Sequence, residues 1–171
     1  GAQPAVALEG SIAALRAMLA VMAGREEEAV MLAQNALALL PPGAHWDRAA
    51  ACWALGYARR SLGDLEGAQT CFAEQVRLAR VMDNVWTLVT GLTDLALVLR
   101  TQGELQRASD LFTQALHAAS QQGARSSGYI ARMESGLAAI LYERNDLAAA
   151  LHLLEGAVAA GVKRIVYTSL L

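Results

Sequence analysis

A chain of 171 residues, 55% hydrophobic but only 5% aromatic and with a net charge of −2, can bury a sizeable core and carries no basic excess. That balance excludes the phosphate-gripping surfaces of DNA-reading modules, so no direct nucleic-acid contact is expected. No uninterrupted apolar run of about 18 residues is seen, so neither a spanning helix nor a membrane partner is expected, and no basic-apolar leader is visible.

Apolar residues at three- and four-residue steps predict a first unit over about 8–40, with helices 8–23 and 25–40 on either side of Gly24-Arg25. Pro41-Pro42-Gly43 closes it, because proline cannot continue a helix and biases the preceding residue away from one. The second unit, about 47–81, begins with helix 47–62, whose apolar face carries Ala49, Cys52, Trp53, Leu55 and Tyr57. Gly63 stops that helix by adopting left-handed backbone, and Asp64 places a negative charge at the exposed amides of helix 65–81. Helices 85–102 and 104–121 around Gly103-Glu104 make a third unit, capped by Asp83-Asn84. A fourth, about 127–160, has Ser126-Ser127 as its cap and Asn145-Asp146 as its turn. Residues 162–169 are rich in β-branched side chains and read alone as a strand. In context they open a fifth unit over 163–171. Gly1 without an initiator Met and the stop at Leu171 lead us to expect a fragment of a longer protein.

The four turns recur about every forty residues, the signature of a repeat architecture. Five residues after each turn's first residue stands an alanine: Ala29, Ala68, Ala108 and Ala150. Seven before it come Ala17, Gly56, Ala96 and Ala138, and nine after it Ala33, Phe72, Phe112 and Leu154. In register four times, this resembles the tetratricopeptide repeat (TPR), in which small residues let two helices touch and a large one fills the space beside them. The resemblance implies an all-α, right-handed superhelical solenoid of antiparallel helix pairs, one array over 1–171. The period exceeds the usual one of about 34 residues. With phrases such as Leu62-Gly63-Asp64-Leu65-Glu66-Gly67-Ala68 and Tyr142-Glu143-Arg144-Asn145-Asp146-Leu147, it resembles the repeat arm of MalT-type regulators. These bacterial transcriptional regulators join an ATP-binding switch module, a helical arm and a LuxR-family helix-turn-helix. The resemblance implies an effector-sensing arm in signal transduction.

No catalytic constellation is present. A glycine-rich phosphate loop followed by Lys-Ser/Thr is absent, Ser126-Ser127 has no His or Asp partner, and Glu26-Glu27-Glu28 suits a helix N-terminus. We therefore expect no enzyme and no cofactor. His45, His117 and His152 are scattered, so no metal site is expected either. Cys52 and Cys71 fit small buried hydrophobes in a reducing, cytoplasmic setting.

Such repeats line a concave groove with one stripe of each first helix. Counting back from the turns gives Trp53, Tyr57 and Arg60 in the second unit, Thr93 and Arg100 in the third, and Arg132, Ser135 and Tyr142 in the fourth. Aromatic rings supply contact area, and arginine offers a planar fork for carboxylate or phosphate. The expected partner is a protein or small-molecule effector. The alternative is a free-standing scaffold that docks a peptide or helix in the groove. Since a terminal repeat ordinarily has a polar outer face, the ending Tyr167-Thr168-Ser169-Leu170-Leu171 implies that the array continues or is capped by self-association at its C-terminal end.

Overall fold

The computed structural model describes residues 2–121 and 128–159. The Ser126-Ser127 cap and the fifth unit at 163–171 lie outside them. Among the described residues all regular structure is helical: α1 (Ala2–Met22), α2 (Glu26–Leu39), α3 (His45–Ser61), α4 (Leu65–Val81), α5 (Val85–Thr101), α6 (Leu105–Gln121), α7 (Gly128–Glu143) and α8 (Leu147–Ala159). They form four antiparallel pairs of a TPR-like solenoid.

Helix α1 begins well before residue 8. Pro4 falls in its first turn, where a missing amide hydrogen costs nothing, so the helix extends back through it. This start also corrects the membrane expectation. The segment Pro4–Met22 is long and apolar enough to cross a bilayer by length and composition, with a mean hydropathy of 1.6. Its only charges, Glu9 and Arg16, break the uninterrupted run without lowering the average enough to exclude it. In the array its alanine face packs on α2 and α3.

The turns work through left-handed backbone. Gly24, Gly63 and Gly103 have φ of 67°, 86° and 82°, and Asn145 takes the same role at 62°. The residue after each then donates its amide back to the ending helix: Arg25 to Ala20, Asp64 to Arg59 and Glu104 to Leu99, all at 2.9 Å, and Asp146 to Leu141 at 2.8 Å. Between units two and three, Asp83 at φ 49° closes the same ring, with Asn84 donating to Ala79. Two of the helices that follow, α4 and α5, are capped by side chains. Asp64 accepts from the Gly67 amide at 2.9 Å and Asn84 from the Thr87 amide at 2.8 Å.

Small residues decide how closely the helices approach. Ala29, Ala68 and Ala108 are completely buried and Ala150 nearly so, each where two helices cross. Phe72 and Phe112, also completely buried, fill the space beside these crossings. A methyl group on Gly56 would stand 2.8 Å from the Phe72 ring, and one on Gly136 would overlap the Phe112 ring. First helices touch one another along the array, α1 with α3, α3 with α5 and α5 with α7. Among the described residues, second helices touch only first helices. The first helices therefore form a tight inner layer, while the second helices fan outward around it.

Ala108→Leu overpacks this crossing and should cost about 1–3 kcal/mol. Phe72→Ala and Phe112→Ala should each cost roughly 3–5 kcal/mol, because each empties a sealed aromatic site. Urea unfolding followed by circular dichroism measures all three, and a midpoint equal to the parent's would place that residue outside the core.

Candidate functional site on the inner helices

The inner layer brings polar side chains from three units together around one buried carboxylate. Asp94, in the middle of α5, is 1% exposed. The Arg132 guanidinium of α7 donates to its Oδ1 at 2.7 Å, and the Arg60 guanidinium of α3 lies 3.9 Å from the same oxygen. The Trp53 side chain, also on α3, favours the ionised carboxylate as well. Arg60 stacks over the Tyr57 ring at 4.5 Å from its centroid, and the Trp53 and Tyr57 rings are tilted against each other 5.5 Å apart. Such contacts need α3, α5 and α7 to lie side by side, and these first helices do touch one another in turn.

Burial pushes the Asp94 carboxyl above its ordinary range, and Arg132 and Arg60 pull it part of the way back. Two guanidinium groups meet one carboxylate, so the cluster has surplus positive charge and N–H donors that Asp94 does not use. Arg60 and Arg132 keep 21% and 36% of their side-chain surface open. The arrangement can hold a planar anionic or polar group against an aromatic wall.

Of the residues expected on this stripe, Trp53, Tyr57, Arg60 and Arg132 belong to the one cluster. Arg100 and Ser135 are half-buried on the same two helices, α5 and α7, and Tyr142 is exposed near the end of α7. Thr93 is placed differently. It is fully buried, and its hydroxyl donates to the Val89 carbonyl at 2.7 Å. Counting from the turn missed Asp94, one residue on. Its signal was available: Asp94 is the only charge in α5 before Arg100. Among the described residues there is no cluster of metal-ligating side chains. Cys52 and Cys71 are buried free thiols, and burial drives Cys52 up to about 12.

The stacked helix pairs, with their αL turns, alanine crossings and continuous inner face, define a TPR-like helical-repeat protein. The sequence matches the MalT-like TPR region over residues 10–166, and the chain belongs to that family. No curated protein matches it. Among solved structures, the crystal structure of BtubC (BKLC) from P. vanneervenii superposes with a TM-score of 0.74 at 18% identity. The match takes in 87% of this chain and 61% of BtubC, and it is a likeness of fold.

Arg132→Ala should destabilise the array by about 3 kcal/mol at neutral pH, since it strips the closest partner from a buried carboxylate. The sign of the pH dependence follows from the raised Asp94 pKa. Holding the ionised carboxylate in the fold is costly above the folded pKa, and the cost vanishes once pH drops below the unfolded value. The deficit of Arg132→Ala should therefore shrink as pH is lowered through the carboxylate range. Urea midpoints of variant and parent at several pH values test this, and a constant difference would mean that Asp94 stays neutral or that Arg132 does not neutralise it.

Proposed function

We propose that the chain is the non-catalytic, effector-sensing arm of a MalT-type, LuxR-family transcriptional regulator in the cytoplasm, and that its inner face is the recognition surface. Membership of the MalT-like TPR family supports the regulator context, and TPR-like repeats generally mediate interactions with proteins. The observation that carries the binding surface is the cluster of Trp53, Tyr57, Arg60, Asp94 and Arg132, drawn from three successive units. A structural core has no need of partly open arginines laid against tyrosine. A protein segment or small effector offering a carboxylate or phosphate meets spare N–H donors there, with aromatic rings for its apolar part. Because the cluster ties three units together, an occupant that draws on Arg60 and Arg132 favours one relative arrangement of those units. It acts on the arm only through that difference in affinity.

Arg60→Ala combined with Arg100→Ala is the decisive variant, because Arg132 still neutralises Asp94 and the array stays folded. With Trp46 and Trp86 replaced by Phe, Trp53 becomes the sole tryptophan reporter for titrations with small di- and tricarboxylates, phosphorylated metabolites and acidic peptides. The parent should bind at least one class with a change in Trp53 emission. The double variant should bind it roughly tenfold or more weakly, the equivalent of one lost charge-assisted contact. Unchanged affinity together with an unchanged melting temperature would remove the inner face as the binding surface.

A further inference from the structure

Asp94 stands where the packing of the array asks for no charge. Nine residues before the turn, the neighbouring first helices carry Ala54 and Gly136, both buried and both without a polar side chain. The hydroxyls nearest to Asp94 in the helix are engaged elsewhere. Thr93 donates to the Val89 carbonyl and Thr90 to the Thr87 carbonyl. Among the described residues, Arg132 of α7 and Arg60 of α3 are the only charged groups acting on the carboxylate. None reaches it from α4 or α6, nor does Arg100 of its own helix.

The same two arginines are the donors that the inner face offers to an anion. They approach one Asp94 oxygen at 2.7 and 3.9 Å, and both keep part of their surface open. An anion that draws on them weakens the only opposite charges holding the carboxylate ionised. It also sets a second negative charge close to a carboxylate that is 1% exposed, where water screens little. Both effects favour the neutral acid. That form still has an oxygen to accept from Arg132, and it leaves two guanidinium charges for the occupant.

We infer that the inner face takes up a proton with each anion it binds, the proton passing from solvent to the Asp94 carboxylate. The inference rests on the recognition surface proposed above and adds its regulation by pH. Burial already raises the Asp94 pKa in the empty site, and the anion raises it further. Coupling is reciprocal, so a proton on Asp94 tightens the anion as much as the anion tightens the proton. Below the pKa of the empty site Asp94 is neutral with or without the anion, and affinity is constant and highest. Between that value and the higher one of the occupied site, affinity falls with rising pH by at most about tenfold per pH unit. Above both values it is constant again and lowest.

Sulfate is a suitable probe, because its charge is constant between about pH 5 and pH 8, where a raised carboxyl titrates. Titrations read by Trp53, with Trp46 and Trp86 replaced by Phe, should give an affinity at least about tenfold higher at the acid end of that range. Asp94→Asn keeps the shape and an acceptor oxygen but carries no charge. It should bind sulfate at both ends about as tightly as the parent does in acid. Calorimetry of the parent in buffers of different ionisation enthalpy should show up to one proton taken up per sulfate, a measurement that needs no variant. Constant affinity without proton uptake overturns the coupling and leaves the recognition surface standing. A pH slope that survives in Asp94→Asn assigns the proton to another group and overturns it equally. Sulfate that binds nowhere, or binds unchanged after Arg60→Ala with Arg100→Ala, removes anion capture by the inner face and the inference with it.

Discussion

Two helices can lie about 8–10 Å apart only where small side chains stand between their backbones, and every other property of this array depends on that spacing. Alanine at the fixed position of each second helix and alanine or glycine along the first helices provide it. Phenylalanine fills what would otherwise be a void beside the contact, and Gly56 and Gly136 make room for its ring. The two requirements belong together. A larger residue at the crossing drives the helices apart, and a smaller one at Phe72 or Phe112 leaves a cavity that the tight crossing cannot collapse.

The same spacing makes the inner face a chemical surface. With first helices in direct contact, a side chain one repeat away is within hydrogen-bonding reach. The hydroxyl of Ser11 donates to Asp47 at 2.8 Å from α1 to α3, and Arg132 donates to Asp94 from α7 to α5. Asp94 differs from Asp47 in its burial and in having arginines from two units. An unpaired carboxylate there would be costly, so its position is fixed by partners on either side. Arg60 and Arg132 are oriented in turn with donors to spare. The outcome is a preorganised polar cluster within an otherwise alanine-lined layer.

Most of the architecture was legible because its causes are local and repeated. Glycine or asparagine in left-handed backbone, a carboxylate or amide cap three residues before the amide it accepts, and alanine at a fixed offset each leave a one-residue mark. Four copies in register of the turn residue and the alanine make these marks unambiguous. The start of α1 was not legible in this way, because nothing at the sequence level separates a proline that ends a helix from one that opens it. The site was readable only in part. Trp53, Tyr57, Arg60 and Arg132 followed from a count back from the turns, but the same count landed on Thr93 where Asp94 was the residue that mattered. One residue is a rotation of about 100° on a helix. The small Thr93 can be sealed inside by bonding its hydroxyl to its own backbone, whereas Trp53 at the equivalent position is too large to disappear. Pairing across units was also hidden, since which arginine meets Asp94 depends on the tilt between helix pairs.

The asymmetry between the two layers has a mechanical consequence. Among the described residues the inner helices are joined one to the next, while the outer helices touch only inner ones. The inner layer therefore acts as a pivot line, with the outer helices as arms about one helix diameter, roughly 10 Å, from it. A few degrees of rotation between units changes distances at the Asp94 cluster by a fraction of an ångström, enough to alter a hydrogen bond, and opens or closes the gaps along the outer rim by a larger amount. The protein is thus geared: small adjustments at the inner face become larger displacements at its back, where α2, α4 and α6 stand apart from one another.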